Sequence, residues 1–314
     1  MKEKTITIME RGKKKNPARG AKGLILAAVI LLVLGAALGA EEQKRDFSIE
    51  GIHTISISYH TGKIGLAETG GSRLLLEEEL RRMEPAQVKT SEGALSIESS
   101  KGKWSPFWAP WKNNARIAIP RSFQGNLRIT LRSGALKGES DLATPGEISI
   151  TLTSGTITLR RLSAGKIDME LTSGSCRAGN LEGETRIKLT SGSILCGELS
   201  GPSHRLELVS GSAKLDRIRG RINASAVSGT IKAEAAEITG DMHFRIDSGR
   251  MELVLPRGSA FNLDAETNSG YINLRSSAES FDIKNKTSVL RPIGENPRHT
   301  IFVRMNSGWI VIDR

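Results

Sequence analysis

Ser-Gly pairs recur at a near-constant spacing along the chain, nine of them with their serines at Ser133, Ser154, Ser173, Ser191, Ser210, Ser228, Ser248, Ser269 and Ser307. Successive glycines stand 21, 19, 18, 19, 18, 20, 21 and 38 residues apart, the last interval reading as two periods with one marker lost. A period near 19 residues held over most of a chain marks a repeat architecture. Each unit in such a fold buries its apolar side only by stacking on its neighbours.

The apolar residues keep register with the markers. Three residues before each glycine stand Leu131, Leu152, Leu171, Leu189, Leu208, Ala226, Ile246, Thr267 and Met305, with a second apolar column five before it. Two residues after it stand Leu136, Ile157, Cys176, Ile194, Ala213, Ile231, Met251, Ile272 and Ile310. A spacing of two within each run buries one face of a strand. The parity changes across the glycine, so the chain turns a corner there, and glycine accepts the positive φ such a corner needs. The structural corners are expected at Gly134, Gly155, Gly174, Gly192, Gly211, Gly229, Gly249, Gly270 and Gly308, with a looser second corner at Gly165, Gly183, Gly201, Gly220 and Gly240. The expected fold is all-β: a β-solenoid of about 19-residue, two-strand repeats, preceded by one N-terminal transmembrane helix.

Pro120-Arg121 and Pro256-Arg257 each stand 14 residues before a marker glycine, an echo that suggests two blocks of turns. The T-S-G-x-I-x-L repeats and these L/I-P-R segments resemble the toastrack-type adhesin β-repeat domain of bacterial cell-envelope proteins, over about residues 47–314. The resemblance implies an envelope location, often with an attached membrane helix and sometimes beside stress-signalling systems. It supplies no catalytic residue.

Residues 1–22 hold eight basic residues against Glu3 and Glu10, and Gly23 to Ala40 carry no charge. Eighteen helical residues span about 27 Å, enough to cross a bilayer core. The positive-inside rule keeps the basic arm cytoplasmic and exports the repeats. The segment is either an uncleaved signal-anchor or a signal peptide cut near Ala37 or Ala40; the long basic lead and apolar core favour the anchor. The expected organisation is a basic cytoplasmic arm at 1–22, the transmembrane segment at 23–40, a linker at 41–46 and the exported β-solenoid at 47–314. The first of these carries +6 of the formal +11 charge, so the high pI is largely a topology signal. That removes the case for nucleic-acid binding and leaves an envelope protein, an anionic envelope polymer or the membrane as partners.

Export makes Cys176 and Cys196 worth testing as a pair. They fall one turn apart vertically and two residues apart along the strand, about 8 Å, too far for a disulfide. Two free, buried thiols are expected. The histidines lack metal-ligand spacing, and His204 falls at an inward column position, where a satisfied corner residue is expected. No acid–base pair or phosphate-binding glycine loop is present, and no cofactor or enzymatic activity is expected. The serine column reads as hydroxyls that bond corner backbone.

One segment breaks the period. The loop at 101–114 begins KGKWSPFWAPWK and carries Lys103, Trp104, Phe107, Trp108, Trp111 and Lys112. It reads either as a cap over the end of the stack or as a contact site for a membrane or partner. Residues 73–84, RLLLEEELRRME, fit a short helix or a strand equally. The sequence thus points to a non-enzymatic, membrane-anchored interaction or scaffold module. Its rivals are a polysaccharide-binding or polysaccharide-active β-helix protein and a self-assembling structural solenoid.

Overall fold

The computed structural model describes residues 41–80, 84–99, 113–275 and 283–314. Thirteen strands follow one another: β1 (Glu41–Ser48), β2 (Thr54–Thr69), β3 (Arg73–Leu80), β4 (Gln87–Ser91), β5 (Ala94–Glu98), β6 (Asn113–Pro120) and β7 (Asn126–Gly138), then β8 (Leu142–Ala235), β9 (Met242–Val254), β10 (Phe261–Arg275), β11 (Ile283–Lys286), β12 (Ser288–Ile293) and β13 (Thr300–Asp313). Among the described residues they form one sheet whose main path runs β1-β3-β6-β2-β7-β8-β9-β13-β10-β11, with β12 on β10, β5 on β2 and β4 on β5. The 94 residues of β8 wind through several successive rungs.

The repeat register is the fold. Leu131 pairs with Leu152, Gly134 with Gly155 and Leu136 with Ile157 across parallel rungs. Leu152, Leu171 and Leu189 are all buried. Inward and outward positions alternate up to the serine and exchange parity after the glycine, as in the run Ile150, Leu152, Ile157, Leu159, all buried. All nine marker glycines have φ between +125° and +139°. A Cβ on any of them would run into the carbonyl oxygen of the glycine one rung away. Glycine is therefore required twice over, by the backbone angle and by the rung spacing.

The column extends past the markers in one direction and folds back on itself in the other. Thr61-Gly62 forms a further rung, Gly62 pairing with Gly134, with threonine in place of the marker serine. At the far end, the interval from Gly270 to Gly308 is not two stacked periods. The chain leaves β10 for β11 and β12, which pair antiparallel with it, and returns as β13, inserted in parallel between β9 and β10. The spatial order is Gly249, Gly308, Gly270. A parallel ladder accepts any rung of matching register, so order along the chain does not fix order in the stack.

The head of the stack is different in kind. β5 pairs with the first half of β2 and β6 with its second half, while β3 and β1 continue from β6 as antiparallel strands. Residues 41–46, expected to be a linker, belong to β1. The segment RLLLEEEL is strand β3, with Leu74, Leu76, Glu78 and Leu80 inward. The two segments explain each other: Lys44 meets Glu77, Arg45 meets Glu78 and Asp46 meets Arg73. Charge that looks solvated in each sequence alone is complementary across the pair.

Candidate functional site

Six of the residues singled out from the sequence, Lys103, Trp104, Phe107, Trp108, Trp111 and Lys112, lie outside the described residues, as do the arm and apolar segment at 1–40. Asn113 and Asn114, expected at the end of the aromatic loop, belong to β6. The described strands on either side of that loop pair with β2: Glu98 of β5 with Ser58, and Asn114 of β6 with Lys63, on the two sides of the Thr61-Gly62 corner.

Beside that corner lies a groove of about 810 Å³, between the antiparallel strands β1, β3 and β6 and the outer face of the first parallel rungs. Its floor is set by outward positions with little bulk: Gly65 on β2, Ala135 on β7, Thr156 and Thr158 on β8. Its wall is a chain of charges crossing four segments. Lys44 Nζ donates to Glu77 at 2.5 Å, Arg116 reaches the other Glu77 oxygen at 3.1 Å, and Arg116 Nε donates to Glu139 at 2.7 Å. The Lys44 hydrogen bond, helped by Arg116, holds the Glu77 carboxyl below its usual range, and Glu139 with Glu77 raises Arg116. Gly65 makes this arrangement fit, since a Cβ there would stand 2.8 Å from a Glu139 carboxylate oxygen. Lys63 and Lys137 also line the groove, and neither has a carboxylate within ion-pair distance among the described residues.

A buried network fastens the wall to the core. Glu78, 2% exposed, accepts from Arg45 at 2.5 Å, from the Tyr59 hydroxyl at 3.2 Å and from the Ala86 backbone N–H at 3.1 Å. Burial, then the Glu78 charge, pushes the Tyr59 phenol up, so it stays a hydrogen-bond donor. A buried carboxylate with three donors is satisfied; with any one removed it is costly.

The remaining sequence expectations fall as follows. Cys176 and Cys196 are free and buried, each thiol pushed up to about 12 chiefly by burial. His204 is buried at 4% exposure, with Nε2 at 2.9 Å from the Arg219 carbonyl, so one ring nitrogen is satisfied as expected. Its Nδ1 is buried without a partner, and burial lowers its pKa. Outward acids and bases pair between rungs, as in Lys188–Glu170 and Arg161–Glu182, which is ladder chemistry of modest energy. Among the described residues no group of three or more His, Cys, Asp or Glu is placed to hold a metal ion. The groove escaped the sequence reading because it is made of outward positions. Its one linear trace is Gly65, at a position where the next two rungs carry Lys137 and Thr158.

These features define a class: a parallel β-solenoid of glycine-cornered rungs with an antiparallel head. The family described as Toastrack DUF4097 matches residues 52–313, and the chain belongs to it. Among solved structures, the chain is similar to a candidate adhesin from Parabacteroides distasonis at 10% identity, covering 87% of this chain and 97% of that one, with TM-score 0.49. A candidate adhesin from Bacteroides fragilis is similar at 12% identity, with the same coverages and TM-score 0.42. A candidate cell adhesion protein from Clostridium sporogenes is similar at 11% identity, covering 87% and 98%, with TM-score 0.29. At those scores the neighbours carry no weight for mechanism. No curated protein of matching sequence was found.

Proposed function

We propose that the chain is a non-enzymatic, adhesin-like interaction module of the cell envelope, anchored in the membrane by residues 23–40 with its β-solenoid displayed outside. The observation that carries this reading is the pairing of Glu41 with Leu80. Glu41 is already in the ladder, immediately after the apolar stretch, and Glu42, Gln43 and Lys44 line the groove. A span ending at Ala40 therefore leaves no slack. It sets the head of the stack, with its groove, at the membrane surface in one orientation.

The aromatic loop fits the same picture. The strands that flank it in the chain, β5 and β6, belong to that same head, and indole rings with lysines suit the headgroup level. Lys103, Trp104, Phe107, Trp108, Trp111 and Lys112 are then the membrane or partner contact, and the rest of the stack is a rigid rod carrying outward polar faces. Stacking of this kind resists bending because each rung is bonded to two others.

Fractionation of the full chain tests the reading. It is expected in the membrane fraction, resistant to high salt and released by detergent, with externally added protease reaching the repeats. Replacing Trp104, Phe107, Trp108 and Trp111 by alanine is expected to leave the fold intact and weaken binding of residues 41–314 to vesicles. A full chain recovered as a soluble protein at low salt would overturn the anchor.

A further inference from the structure

Far from the head, at the second corner, lies a separate pocket of about 550 Å³. It is shared by the end of β8, the connection to β9 and the residues leading into β13. Its lining includes Arg221, Asn223, Gly240, Asp241, Arg298 and His299.

Two exposed arginines, Arg221 and Arg298, line it. Arg217 and Arg219 on the same corner pair with Glu198 and Glu237. Arg221 and Arg298 have no carboxylate within ion-pair distance among the described residues. The one carboxylate lining the pocket, Asp241, is otherwise engaged: its Oδ1 accepts the Thr300 backbone N–H at 2.8 Å and faces His299 Nδ1 at 3.9 Å.

The exposed Arg221 runs its stem alongside Gly240. Gly240 is buried and does not need glycine for its backbone angle, since its φ lies outside the left-handed region. A Cβ there would stand 2.6 Å from Arg221 Cγ and 3.6 Å from its Nε. The missing side chain is what lets the Arg221 stem lie flat against the corner. Two arginines without a carboxylate partner lining one pocket suit a phosphate group, which guanidinium binds by paired hydrogen bonds.

The pocket is larger than one tetrahedral anion, and Ser203, Asn223 and Thr239 add hydroxyl and amide groups to its wall. We propose that it binds the phosphate ester of a sugar or polyol, with Arg221 and Arg298 on the phosphate and the neutral polar groups on the ligand's hydroxyls. The inference rests on the envelope reading only for the source of such a ligand, a phosphate-bearing envelope polymer.

Isothermal titration of the full chain in detergent with glycerol phosphate, inorganic phosphate and glycerol tests it. Saturable binding of glycerol phosphate is expected, tighter than that of inorganic phosphate, with none for glycerol. Changing Arg221→Ala together with Arg298→Ala is expected to weaken binding about tenfold or more. Gly240→Ala, which removes no charge, is expected to weaken it as well, with the circular dichroism of both variants unchanged. Equal binding by wild type and the double variant would overturn the proposal, as would equal affinity for inorganic phosphate and the ester. Arginine-dependent binding of phosphatidylglycerol vesicles without binding of glycerol phosphate would overturn it in favour of a lipid headgroup. Membrane fractionation of the double variant is expected to be unchanged, so failure here leaves the anchor reading standing.

Discussion

Trp309 stacks on Tyr271 with ring centroids 5.8 Å apart and planes at 18°, although 38 residues separate them in the chain. Arg250, from the rung on the other side, covers Trp309 at 5.9 Å. One step before the marker serines the same three rungs carry Asp247, Asn306 and Asn268, joined by amide hydrogen bonds of 3.1 and 3.0 Å. These two short ladders identify β13 as the strand that fits between β9 and β10. Trp309→Ala is expected to cost about 1 kcal/mol beyond its lost area through the ring stack alone. Thermal unfolding of the variant measures it.

The corner glycines should tolerate nothing else. Gly174 has φ of +135°, and a Cβ there would collide with the Gly155 carbonyl oxygen. Gly174→Ala is expected to destabilise by about 3 kcal/mol or more. Ser173→Ala beside it removes an exposed hydroxyl that, contrary to the expectation for the serine column, bonds no corner backbone among the described residues, and should stay within about 0.5 kcal/mol. Denaturant unfolding of the two variants gives the contrast.

The two cysteines should be silent in the folded protein. Burial pushes both thiols up to about 12, so almost no thiolate exists at pH 8 and no reagent reaches it. Native protein is expected to show no reaction with an aromatic disulfide reagent, and denatured protein two thiols. Rapid labelling of native protein would contradict the inward register of Cys176 and Cys196.

His204 gives the fold an acid sensitivity. Burial lowers its pKa in the folded state, whereas the unfolded chain protonates it near the ordinary value of about 6.5. Below that value the unfolded state binds the extra proton and the native state does not, so stability falls with falling pH until the folded value is passed. Above it, this residue contributes no pH dependence. His204→Gln is expected to remove this part of the slope on the acid side of pH 6.5, read from unfolding midpoints across pH.

Much of the stack was legible because its rule is local. The Leu152, Leu171 and Leu189 column, the parity switch and the glycine corners all follow from spacing within one rung. The order of the last three rungs was not legible, since Gly308 fits on Gly249 as well as Gly270 would; the Asn306 and Trp309 ladders decide it only once they are seen side by side. Thr61-Gly62 was missed because threonine replaced the serine, and β1 because EEQKRD looks like a solvated linker until Lys44 and Arg45 meet Glu77 and Glu78. The two pockets gather outward residues from distant segments, and no linear pattern marks such a meeting.

Cysteine cross-linking along the serine column tests the stacking order most directly. Neighbouring rungs stand about 4.8 Å apart, within disulfide reach, and second neighbours about twice that, beyond it. With Ser248, Ser307 and Ser269 replaced by cysteine in pairs, 248 with 307 and 307 with 269 are expected to form disulfides under mild oxidation, and 248 with 269 to stay reduced. Cross-linking of 248 to 269, with 307 left free, would show β10 lying directly on β9 and contradict the inserted rung.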